Sequence, residues 1–216
     1  MRIFVFGDSI AHGFYDTHGG WVQRLSAKYN KDMLDAILSG EKSDKQVFNL
    51  GVSGDTAKGV RNRIKQEIEA RRLYDDTDLV LIAVGINDAC LIKNRAVNDV
   101  YTFQTDYEDC IKQALDLGAQ VFCVGLSAVD EQLTDPWAGS TTGRQRKNNR
   151  INLFEDSIKQ SAMRTGAGFV PVHDEFLAES NAGHELLSDG LHPNNDGHML
   201  ILKNVEELLD QYGKNN

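Results

Sequence analysis

Short, continuously apolar runs alternate with long amphipathic segments along this chain, and that alternation constrains the fold more than any other feature. The runs lie at residues 2–6, 46–50, 79–84, 120–124 and 168–172. Strands covered by helices on both faces read as unbroken apolar stretches, whereas strands with one wet face alternate apolar and polar. Helices are expected at residues 21–37, 56–72, 97–117, 149–164 and 195–212. In the last of these, Met199, Leu202, Val205, Leu208 and Leu209 repeat at helical spacing and should face the sheet. Five strands and five helices in strict alternation imply β-α-β units and a parallel five-stranded sheet.

The 216 residues suffice to bury a full core. With only three prolines, no Pro/Gly/Ser-rich linker and no internal repeat, one domain over residues 1–216 is expected. A net charge of −9 repels a phosphate backbone and disfavours stable attachment to an anionic membrane, so neither nucleic acid nor a lipid surface is an expected partner. The densest basic stretch, Arg144, Arg146, Lys147 and Arg150, reads as the solvated start of a helix. Cys90, Cys110 and Cys123 form no CxxC pair and suit packing in a reducing compartment. The apolar run after Met1 and Arg2 is too short for a signal-peptide core or a membrane span, so a cytoplasmic location is expected.

Three glycine-bearing turns follow the first three strands directly, at residues 7–10, 51–56 and 85–88. In an open parallel sheet the carboxyl ends of neighbouring strands share one rim, where ligands bind, so these turns should meet. Ser9, on a tight turn after Gly7, can hold its hydroxyl exposed and its N–H free for an anion. A hydroxyl alone is a poor nucleophile and needs a base. In the stretch Ser188-Asp189-Gly190-Leu191-His192-Pro193 a carboxylate precedes an imidazole by three residues. One turn of chain then brings Asp189 to Nδ1 of His192 and leaves Nε2 free to take the Ser9 proton. The backbone N–H groups of Ser9 and Gly54 and the side-chain amide of Asn87 can supply fixed donors to an oxyanion.

Taken together, GDSI at residues 7–10, NLGVSGDT at 49–56, GIND at 85–88 and DGLHPN at 189–194 resemble the four blocks of the SGNH, or GDSL-like, hydrolase family, in the family's order. They span nearly the whole chain, and the region around Gly20 and Trp21 is also similar to many members. The resemblance implies a flavodoxin-like three-layer α/β/α domain. It assigns Ser9 as nucleophile and first oxyanion donor, Gly54 and Asn87 as the other donors, His192 as base and Asp189 as its partner. Ile10 stands where the name-giving motif has leucine, a change expected to affect packing rather than chemistry.

The function expected is hydrolysis of carboxylic esters through an acyl-enzyme on Ser9, with a small soluble ester preferred and no cofactor. Acetylated sugars, thioesters and lysophospholipids stay open as substrates. The pocket is expected from loops at residues 11–20, 91–97 and 127–142, with Phe14 and Trp137 as candidate walls. Asp8, Asp55 and Asp88 are read as turn-stabilising carboxylates, and Asn49 and Thr56 as ties within the second turn. The pairs His192/His198 and His12/His18 lack HExxH spacing, so no metal is expected. A nucleotide-binding module of the same fold is the main rival, although neither GxxxxGK[ST] nor GxGxxG occurs. A catalytically silent relative that only binds an acylated ligand has no need for Ser9, Asp189 and His192 together.

Overall fold

The computed structural model describes residues 1–41, 45–73 and 78–215. In chain order the elements are β1 (Arg2–Gly7), α1 (Ser9–His12), α2 (Gly20–Ser39), β2 (Gln46–Gly51), α3 (Ala57–Glu69) and β3 (Asp78–Ala83). There follow β4 (Leu91–Ile92), β5 (Arg95–Ala96), α4 (Val100–Asp116), β6 (Gln120–Val124) and α5 (Glu131–Thr134). The chain closes with β7 (Arg144–Gln145), α6 (Asn148–Thr165), β8 (Gly168–Val170), α7 (His173–Asn181) and α8 (Asn195–Asn215).

Five strands pair in parallel in the order β2-β1-β3-β6-β8. This is the flavodoxin-like order, in which the chain reverses direction across the sheet between β1 and β3 and opens a crevice at their carboxyl ends. The period-two geometry of a strand divides each apolar run between two cores. Phe4, Phe6, Val80 and Ile82 pack with Val60 and Ile64 of α3, Tyr107 and Ile111 of α4 and Phe154 and Ile158 of α6. Ile3, Val5, Leu79 and Leu81 pack on the opposite face with Trp21 and Leu25 of α2 and Leu202 and Val205 of α8. The result is the expected three-layer α/β/α sandwich. Side-chain caps fix where its helices begin: Thr56 accepts from Gly59 N before α3, and Asp99 accepts from Thr102 N before α4.

All five expected strands and all five expected helices are present, with ends shifted by up to three residues. The strict alternation is not. The segments between these elements also contain α1, α5 and α7, and β4, β5 and β7 form a small antiparallel sheet in the order β5-β4-β7. Two-residue strands and four-residue helices carry too few side chains to set a period. The β4–β5 turn uses Lys93 and Asn94 at positive φ, 49° and 61°, as a tight hairpin requires.

The basic stretch departs further from expectation. Arg144 lies in β7, α6 begins only at Asn148, and Arg146 is 1% exposed. Arg150 donates from Nε to Ala89 O at 2.8 Å and from Nη2 to Asn98 O at 2.5 Å. Arg146 and Arg150 turn inward onto oxygens of Asn87, Ala89 and Asn98, in the loops that follow β3 and β5.

Candidate active site

Register brings the three turns together. Gly7 pairs with Gly51 on one side and Ala83 on the other, so the chain leaves β1, β2 and β3 at the same rim. A Cβ at Gly7 would lie 2.5 Å from Ala11 Cβ and 2.6 Å from Ala83 O, so no larger residue allows this close packing. Asn49 locks the second turn to the first, donating to Ala11 O at 3.0 Å and accepting from Gly51 N at 3.0 Å.

Ser9 opens α1, where its N–H has no intrahelical acceptor. His192 arrives from a tight turn before α8, closed by Ser188 N donating to His192 O at 2.8 Å. Inside that turn Asp189 Oδ1 accepts from the backbone N–H of Leu191 at 3.0 Å and of His192 at 2.7 Å. Asp189 Oδ2 lies 2.9 Å from His192 Nδ1, and His192 Nε2 lies 3.0 Å from Ser9 Oγ. Partial burial alone would raise the Asp189 pKa, but the hydrogen bonds from the His192 ring and from the His192 and Leu191 backbones outweigh it and bring it down to about 2. An ionised Asp189 favours the tautomer with the proton on Nδ1, which leaves Nε2 as acceptor for the Ser9 hydroxyl.

Asn87 is 7% exposed and donates from Nδ2 to Asp55 O at 3.0 Å, leaving its second N–H for another acceptor. Gly54, next to Asp55, has φ 80°, and a Cβ built there meets nothing within 4 Å, so its backbone borders open space. Asp8, Asp55 and Asp88 act as anchors. Asp8 accepts from Ile10 N at 2.9 Å, Asp55 Oδ2 accepts from Arg63 Nε and Nη2 at 3.0 and 2.9 Å, and Asp88 ties Ala57 N to Asn98 Nδ2. Burial pushes the Asp8 carboxyl up to about 7 and the Asp88 carboxyl to about 6. Thr56 caps α3 and His198 sits in the first turn of α8, accepting from Trp21 N at 3.3 Å.

Aromatic rings surround His192. Trp137 lies 5.7 Å from its ring, Phe14 6.4 Å and Tyr15 5.0 Å, centroid to centroid. Trp137 is also bonded, from Nε1 to Asp189 Oδ2 at 3.1 Å. The residue before Asp16 gave no sequence signal, yet Tyr15 takes φ 62° and stands edge-on to His192. Arg146 is the other residue sequence reasoning missed: Nη2 donates to Asn87 Oδ1 at 3.0 Å. Farther along the rim, buried Glu155 accepts from Leu126 N, Val172 N and His173 N, joining the turns after β6 and β8. Among the described residues no cluster of three or more His, Cys, Asp or Glu is placed to hold a metal ion, and no helix is long and apolar enough to cross a membrane.

The model of the GDSL-like lipase/acylhydrolase family matches residues 5–200. The chain belongs to this family. Among solved structures, the psychrotrophic esterase EstA from Pseudoalteromonas sp., described as inhibited by monoethylphosphonate, is 21% identical over 100% of this chain and 99% of that one, with TM-score 0.69. A lipase/acylhydrolase from Enterococcus faecalis is 21% identical over 98% and 96%, with TM-score 0.71. The acetyl xylan esterase AlAXEase is 17% identical over 96% and 99%, with TM-score 0.69. At these identities the likeness establishes the shared fold. No curated protein matches the chain.

Proposed function

We propose that this GDSL-like chain, as one hydrolase domain, is a serine esterase that cleaves short-chain carboxylic esters, acetylated carbohydrates included, through an acyl-enzyme on Ser9. The observation that carries the reading is His192 held at both ring nitrogens, to Asp189 at 2.9 Å and to Ser9 at 3.0 Å. Ser9 Oγ attacks the ester carbonyl carbon as its proton passes to His192 Nε2. The oxyanion accepts from the N–H groups of Ser9 and Gly54 and from Asn87 Nδ2. Collapse expels the alcohol, which takes the proton from His192, and water repeats the sequence to release the acid.

One feature favours a ring-shaped alcohol. The rings of Phe14, Tyr15 and Trp137 beside His192 offer apolar faces on which a sugar can lie. The acetyl xylan esterase among the structural neighbours supports that substrate class.

A p-nitrophenyl ester series from acetate to decanoate, with chelator present throughout, tests the reading. The expected result is kcat/KM highest at acetate and falling with chain length. A rate that climbs toward decanoate would reassign the enzyme to lysophospholipids or long-chain thioesters, and inactivity on every ester would favour a binding module.

A further inference from the structure

Arg146 is among the largest fully buried side chains in the protein, and its surroundings are unusual for a buried cation. Among the described residues its Nε and Nη1 have no hydrogen-bond partner. Its guanidinium lies over the Trp137 ring, 5.6 Å from the centroid, and among the described residues its one side-chain hydrogen bond is the 3.0 Å contact to Asn87 Oδ1. Asp8 and Asp189 attract it through space, but among the described residues no carboxylate lies within ion-pair distance, and an arginine kept for stability alone would be expected in a direct pair. Arginine remains charged even where burial lowers its pKa, as it does here.

From this geometry we infer that Arg146 is a positioning residue for the oxyanion donor, holding and polarising the Asn87 amide. The inference rests on the esterase reading of the site. Two contacts define the amide: Arg146 claims Oδ1, and Asp55 O claims one Nδ2 hydrogen. The flipped rotamer would set Oδ1 against the Asp55 carbonyl and the amide hydrogens against a guanidinium, so both contacts enforce one orientation. In that orientation the second Nδ2 hydrogen is the one left for a ligand oxygen. A positive charge on Oδ1 withdraws electron density from the amide and makes that hydrogen a stronger donor, as hydrogen bonds in series polarise one another. Preorganised donors of this kind supply much of the stabilisation of a tetrahedral intermediate. Trp137 extends the arrangement, carrying the guanidinium on its face while its Nε1–H donates to Asp189. Arg146 therefore works at the oxyanion side while packed against a residue that steadies the acid of the triad.

A double-mutant cycle on p-nitrophenyl acetate decides the matter, with Ser9→Ala as control and melting temperature measured for every variant. Arg146→Met should lower kcat by about 10- to 100-fold, below the full loss of a donor, and change KM by less than about threefold, with the fold retained. Arg146→Lys, which keeps the charge, should recover much of that loss. In the Asn87→Ala background Arg146→Met should have no further effect, because the group it acts through is gone. Wild-type kcat in Arg146→Met, or losses that multiply in the double variant, would overturn the inference. Should Arg146→Met not fold, Arg146→Gln in the same cycle decides on the same terms. Activity surviving Ser9→Ala would instead sink the esterase reading itself.

Discussion

Trp137 Nε1 donates to Asp189 Oδ2 at 3.1 Å, and the same oxygen faces His192 Nδ1 at 2.9 Å. With the Leu191 and His192 backbones on Oδ1, four N–H groups surround one carboxylate. A carboxylate so bound cannot rotate away from the imidazole, and its charge is available when the imidazolium forms.

Trp137→Phe removes the indole donor while keeping an aromatic face beneath Arg146. The expected outcome is a several-fold lower kcat on p-nitrophenyl acetate and a stability loss of about 1 kcal/mol by denaturant unfolding, the scale of one partly exposed hydrogen bond. Unchanged kcat would mean that the backbone donors alone fix Asp189.

Gly54 tests the proposed oxyanion donor on the loop after β2. At φ 80° an alanine is strained by about 1 kcal/mol, yet its methyl meets no atom within 4 Å and enters open space on the side proposed for substrate. Gly54→Ala should fold with a small loss in melting temperature and lose activity out of proportion to it. An equal loss in both would place Gly54 outside the substrate path.

Two buried groups give stability opposite dependences on pH. Burial is the main cause that lowers His198 from 6.5 to about 4, so its contribution is present above pH 6.5 and lost as pH falls toward 4. Burial raises Asp8 from 3.8 to about 7, so its contribution is present below pH 3.8 and lost as pH rises toward 7. Melting temperatures between pH 4 and 8 separate them. Relative to wild type, His198→Gln should gain as pH falls through that window and Asp8→Asn should gain as pH rises. Parallel curves for either variant would show that its group titrates normally in the folded protein.

The sequence carried the sheet, because buried parallel strands must be apolar on both sides, and it carried the four turns, because glycine and a few polar residues at strand ends have little other use. It carried less of what lies around them. Arg146 reads as a solvated cation beside Arg144 and Lys147, and only the fold brings it to Asn87, 59 residues away. Tyr15 shares no periodicity with its neighbours, and the small sheet of β4, β5 and β7 joins segments too short to announce a strand. Ser9 and His192 were legible as types at spacings; their meeting across 183 residues needed the register of β1 and the turn before α8.

Ser9 is the proposed nucleophile, and intact-protein mass after exposure to an organophosphonate ester, for wild type and Ser9→Ala, tests it, with hydrolysis of p-nitrophenyl acetate followed in parallel. Wild type should gain one phosphonyl group, mapped to the peptide containing Ser9, and lose activity, and Ser9→Ala should show neither adduct nor activity. An adduct elsewhere, or esterase activity that persists in Ser9→Ala, would contradict it.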